Sequence, residues 1–235
     1  MKNTILIFLI TTILFSCDRK TENTMTVSGS IDGLKKGTLF FQKAKDSSLI
    51  NIDSASIRGN GSFSFSYEID SPELFYLHLD KADNNDLNDR ITFFGEPGEI
   101  IINTSWNTFD TNSEIYGSKS HEKYAEFQAM LSKFNTREFE LTKMILSEPE
   151  DSNMITEQKL DSIKLLIDKN ILRRYQYILN FGLTNPKSYV TPYVTLIEAP
   201  DANPKYLDSI NKALSEEVAN SKYGKALKAY LDKLE

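Results

Sequence analysis

The chain is poor in the residues that most often carry chemistry. Of its 235 residues one is cysteine and two are histidine. A lone cysteine, Cys17, allows no internal disulfide and no Cys-X-X-Cys pair, so thiol redox chemistry and thiolate zinc sites are excluded from the folded part. Long apolar runs are missing as well. The stretch Ile5 to Phe15 is eleven residues, well short of the about 20 that a membrane span needs. Basic residues are not in excess: 27 Lys and Arg stand against 33 Asp and Glu, a net charge of -6. Such a balance disfavours nucleic acid, whose phosphates demand clustered Lys and Arg. There is no Gly-X-Ser-X-Gly elbow and no phosphate-cradling Gly-rich loop.

What is present begins at the N-terminus. The run Ile5 to Phe15 follows Lys2, ends on the small residue Ser16 and stops directly before Cys17; Asp18 to Thr24 is then a polar tether. This is the grammar of a secretory signal. In Leu14-Phe15-Ser16-Cys17 the chain resembles a bacterial lipoprotein precursor, which implies cleavage after residue 16 and lipid on Cys17. The alternative is an ordinary signal peptide with an incidental cysteine. Two or more acyl chains hold a protein firmly to a bilayer where one does so only marginally. The expected organisation is therefore 1–16 signal peptide, 17–24 lipidated N-terminus and tether, 25–118 β domain and 119–235 helical domain.

Between Met25 and Ser118 short β-branched and aromatic runs alternate with turn residues. Strands are predicted over Thr26–Ile31, Thr38–Lys43, Asp53–Ile57, Ser62–Ile69, Glu73–Leu79, Arg90–Phe94, Glu99–Asn103 and Glu114–Tyr116. In Ser62–Ile69, Phe63, Phe65, Tyr67 and Ile69 alternate with Ser64, Ser66 and Glu68, giving one aromatic and one wet face. Arg58-Gly59-Asn60-Gly61 predicts a hairpin between the third and fourth strands, and Gly95-Glu96-Pro97-Gly98 a turn between the sixth and seventh.

After Gly117 the apolar period lengthens to between three and four. Tyr124, Phe127, Leu131, Phe134, Leu141 and Ile145 make a first helical stripe, interrupted by Glu138. A second helix is predicted from Thr156 to Phe181, after the break at Pro149 to Asn153. Asn185-Pro186 opens a third with Pro192 at a start or kink, and Asn203-Pro204 opens a fourth that reaches Asn220. Lys222 to Leu234 is a last amphipathic piece. Strands first and helices second argue an α+β fold: an N-terminal antiparallel β-sandwich-like domain followed by an all-α helical domain.

Several strings then become familiar. Ile52-Asp53-Ser54-Ala55-Ser56-Ile57, Gly61, Phe63 and Phe65, Pro72 and Tyr76, Phe93 to Ile100, and Tyr116-Gly117-Ser118 resemble a domain of unknown function that forms the N-terminal part of Bacteroidota envelope lipoproteins. Most of those continue into a thioredoxin-like domain of the thiol-disulfide oxidoreductase or peroxiredoxin type. Asn185 to Val190 and Ser221 to Leu227 are similar to the helices that precede that catalytic domain. The resemblance covers roughly residues 17 to 232. It implies the accessory module without its enzyme, since the chain stops at Glu235.

Candidate chemistry is sparse. His121-Glu122-Lys123-Tyr124-Ala125 begins like a zincin helix but carries Ala125 where the second histidine belongs, so a solvated first helical turn is the expectation. His78 shares a strand face with Tyr76 and Asp80 and reads as a hydrogen-bonded surface residue. In the run Asp80 to Asp89 an EF-type register starting at Asp83 finds Asn85 at its third place but Leu87 at its fifth, which favours a polar loop over a calcium site. Phe63 and Phe65 are core, or else a platform for glycan or peptide. No metal, no cofactor and no catalytic residue is expected. The function expected is a non-catalytic, lipid-anchored lipoprotein of the cell envelope, at the outer membrane, that binds or scaffolds a protein, peptide or glycan and not nucleic acid. The alternatives are an accessory component of a separately encoded thioredoxin-like enzyme, or an enzyme with an unrecognised site.

Overall fold

The computed structural model describes residues 23–45, 48–81, 89–146 and 157–234. Cys17, the signal segment, residues 82–88 of the run Asp80 to Asp89 and the Pro149 break lie outside them. Eight strands are followed by six helices: β1 Thr24–Asp32, β2 Lys36–Lys45, β3 Ser48–Arg58, β4 Ser62–Glu68, β5 Glu73–Asp80, β6 Asp89–Gly95, β7 Gly98–Ser105 and β8 Glu114–Tyr116; then α1 Lys119–Leu146, α2 Glu157–Thr184, α3 Val190–Glu198, α4 Pro204–Ala213, α5 Glu216–Ala219 and α6 Lys222–Leu231. The α+β order and the helical C-terminal half are as the sequence implied.

Two four-stranded sheets face each other, in the orders β4-β1-β7-β8 and β3-β2-β5-β6. Two local expectations fail. The predicted hairpin does not form, because β3 pairs with β2 and β4 pairs with β1. Arg58 to Gly61 instead arches from one sheet to the other. Gly59 and Gly61 supply positive φ, Ile31 N–H donates to the Gly61 carbonyl at 3.0 Å, and a Cβ on Gly61 would sit 2.1 Å from the Ile31 carbonyl oxygen. The turn sequence is permissive at both jobs, and the longer apolar ladders on either side decide between them. The second failure is that β1 and β7 pair in parallel, Met25 with Gly98 through Asp32 with Ser105. Every other ladder among the described residues is antiparallel.

The sandwich interior is ring-rich. Phe41 lies 5.4 Å from Phe65 and 5.3 Å from Phe75, centroid to centroid, and Phe75 lies 6.0 Å from Phe93. Phe63 and Phe65 are buried here, as core and not as a platform. Each such ring contributes about 1.5–3 kcal/mol by leaving water.

The helices add two further cores. One joins Leu74 and Phe94, which point out of the second sheet, to Phe127, Leu131, Ile178, Phe181, Val190 and Val194. The other gathers Leu207, Ile210, Leu214, Val218, Leu227 and Leu231. Pro192 sits in the first turn of α3, where its missing N–H costs no helical bond. The expected fourth helix is divided. At Leu214 the backbone turns extended, the Leu214 side chain enters the third core, and Ser215 N–H donates to the Pro186 carbonyl at 3.0 Å. No helix among the described residues is long and apolar enough to cross a membrane.

Candidate cleft at the joint of the two halves

The joint is built on Phe94, a fully buried residue on the outward face of β6. Its ring is surrounded by Tyr124 of α1 at 6.0 Å, Tyr193 of α3 at 6.1 Å and Tyr223 of α6 at 6.0 Å; Tyr193 and Tyr223 stand 4.9 Å apart. Three helices thus converge on one side chain. Burial pushes the hydroxyl pKa of all three tyrosines up, so they stay protonated and able to donate. Tyr223 also accepts the Leu74 N–H at 3.2 Å.

The backbone of Phe94 is tied to the start of α1. Ser118 Oγ donates to the Phe94 carbonyl at 2.8 Å and accepts the His121 N–H at 2.9 Å, which makes it the helix cap as well as the link. His121 Nδ1 accepts the Phe94 N–H at 3.4 Å. Burial lowers the His121 pKa, and only the neutral imidazole can accept that bond. The expectation of a solvated first turn is therefore corrected: α1 starts pressed against the edge of β6, and the histidine serves the joint. Glu96 completes the arrangement from the β6–β7 turn. Its carboxylate accepts the Lys119 N–H at 2.7 Å, the Ser120 N–H at 3.2 Å and the Ser120 hydroxyl at 2.5 Å, placing negative charge on the positive end of a long helix.

Beside this latch opens a cleft of about 550 Å³, lined on one side by Glu96, Lys119 and Ser120 and on the other by Thr184 to Tyr189. That volume falls within the range of small-molecule and peptide side-chain pockets, about 300–1,000 Å³. The α2–α3 connection that forms its far wall is braced. Asn185 Nδ2 donates to the Phe181 carbonyl at 2.9 Å, Thr191 Oγ1 donates to the Asn185 carbonyl at 2.6 Å, and Pro186 accepts from Ser215 as noted. Pro186 and Tyr189 give the wall apolar surface, while Lys119 and Lys187 are exposed on opposite sides. The cleft therefore offers an apolar recess whose charged lining is mixed, Glu96 and Lys119 on one side and Lys187 on the other.

The other sequence candidates lie apart. His78 is half-buried on the outer face of the second sheet, stacked on Phe40 at 5.9 Å and opposite Arg90 in the ladder. Ala125 is exposed on α1. Among the described residues no three His, Cys, Asp or Glu side chains group as a metal would require. What sequence reasoning missed is that Gly95 to Gly98 and Asn185 to Tyr189, both strings that carried the resemblance, meet across one cleft. Their separation of some 90 positions leaves no local signal of it.

Residues 25–124 match the model of a family described as a domain of unknown function (DUF4369). The match spans the sandwich, the latch and the first turns of α1, and so bears out the resemblance for the β half. No curated protein matches the chain.

Proposed function

We propose that this chain is a non-catalytic binding or scaffold lipoprotein of the cell envelope, held to the membrane through lipid on Cys17, and that the joint cleft receives an extended segment of a protein partner. The observation that carries the reading is the cleft itself: a recess of about 550 Å³ whose two walls are each fixed by several hydrogen bonds. A preformed recess loses little freedom on binding, which is where affinity is most often spent. The position of Cys17 just ahead of β1 supports a short tether. Met25, at the start of β1, pairs with Gly98 of the same turn that carries Glu96, so the described chain begins at the end of the sandwich where the cleft lies.

The test is site-specific photo-crosslinking in the native envelope, with the reactive residue replacing Lys187 in the cleft or, as control, Lys133 on the exposed side of α1. A discrete adduct from position 187 alone is expected. Equal labelling from both positions, or none, contradicts the cleft as the binding site. Palmitate labelling that persists in Cys17→Ala contradicts the anchor. A second reading, a component that works with a separately encoded thioredoxin-like enzyme, is supported by the resemblance of the β half; an adduct containing a Cys-X-X-Cys protein would select it.

A further inference from the structure

The end of the sandwich away from the joint carries a different surface. There β1 gives way to the turn at Gly33, and β7 to a loop bearing Trp106, the single tryptophan of the chain and 46% exposed. Two features hold the indole in place. The backbone N–H of Trp106 donates to the Asp32 carbonyl at 3.0 Å and fixes the loop, and Gly33, with φ of +73°, lets the ring lie against its backbone: a Cβ there would come within 2.6 Å of the ring carbon Cδ1. The loop is pinned further by Thr104 Oγ1 donating to the Phe109 carbonyl at 2.9 Å and by the Ser105 and Thr108 hydroxyls 2.7 Å apart. The tryptophan is thus a fixed platform on the surface.

Among the described residues that line the depression beside it, every charged one is a lysine. Lys81 Nζ stands 5.7 Å from the ring centroid, and Lys35 and Lys36 line the same depression of about 500 Å³, with buried Leu34 at its base. This occurs on a chain whose net charge is -6. A flat aromatic face beside several ammonium groups matches a ligand with a flat C–H face and anionic substituents on its edge.

We propose that Trp106, Gly33, Lys35, Lys36 and Lys81 form a binding site for a carboxylate-bearing saccharide of the uronic acid class. One sugar ring stacks on the indole and its carboxylate is taken by Lys35 and Lys36. The site is separate from the joint cleft, lying roughly 25 Å away along β1 at the usual strand rise, so either reading can fail alone.

The experiment titrates the full mature chain with trigalacturonate and, separately, with uncharged maltotriose, following tryptophan fluorescence, which here reports one residue. The acidic trisaccharide is expected to give a saturating shift to shorter wavelength that weakens with salt, while maltotriose gives none. The double variant K35Q/K36Q is expected to bind at least tenfold more weakly with unchanged melting. Trp106→Ala, read by calorimetry, is expected to lose the heat of binding and keep its fold. The proposal is overturned if trigalacturonate gives no saturable change, if maltotriose matches it, if the lysine variant binds as the parent does, or if anionic vesicles shift the fluorescence where the trisaccharide does not.

Discussion

Phe75 and Phe139 are both phenylalanines on regular elements, yet one is fully buried between two sheets and the other is 69% exposed on α1. The contrast holds for their surroundings. The sandwich encloses Phe41, Phe65, Phe75 and Phe93 from both sides, whereas α1 and α2 leave Leu146, Leu165 and Leu172 uncovered. A pair of facing sheets has two inner surfaces to fill. Two antiparallel helices share only one seam, and theirs is pinned by Asn170 Nδ2 donating to the Phe134 carbonyl at 2.9 Å. Near the joint that seam merges with a shared core through Phe127, Ile178 and Phe181; Leu141 and Ile163 are buried outside the shared cores. Stability should therefore be high in the sandwich, intermediate at the joint and low toward the far ends of the helix pair.

Substitutions sharpen that gradient. The largest effect is expected from Phe75→Ala, which empties the ring cluster; denaturant unfolding should show a loss of about 3–5 kcal/mol, and a loss under about 1 kcal/mol would break the comparison. Next comes the joint. Ser118→Ala removes both the cap of α1 and its tie to Phe94, and should cost about 0.5–2 kcal/mol in the same assay. The pH response comes third. Burial holds the His121 pKa below its ordinary value, so the unfolded chain takes up the proton first. Its contribution is complete at neutral pH and is lost as pH falls through the ordinary imidazole range near about 6.5. Melting temperatures between pH 7.5 and pH 5.5 should drop less in His121→Gln than in the parent; an equal drop would detach His121 from the joint. The smallest effect belongs to Phe139→Ser, expected within about 0.5 kcal/mol of the parent. A large loss there would mean that the exposed phenylalanine is covered by something in solution.

Local pattern carried much of this fold. The alternation of Phe63, Phe65 and Tyr67 placed β4 and its inner face, and the stripe from Tyr124 to Leu141 placed α1. Pairing was less legible. Arg58 to Gly61 suits a hairpin as well as an arch, and the parallel partner of β1 lies some 70 residues away, where no turn residue announces it. The joint was least legible of all. Ser118, His121 and Glu96 act through Phe94 and through one another, and His121 looked like a solvated helix residue because nothing in its own helix reveals the sheet edge it meets. Trp106 drew no attention for a similar reason: its seat, Gly33, is built by a different loop.

The central claim is that Phe94 welds the sandwich and the helices into one cooperative body and so fixes both walls of the cleft. It is tested most directly by following thermal unfolding of the parent and of Phe94→Ala at two wavelengths, helical ellipticity for the C-terminal half and Trp106 fluorescence for the sandwich. The parent is expected to show one main transition shared by both signals, preceded only by a shallow loss of ellipticity from the far ends of the helix pair, and Phe94→Ala to lose most of its ellipticity well before fluorescence. Separate transitions in the parent, or coincident and unshifted ones in the variant, would contradict the account.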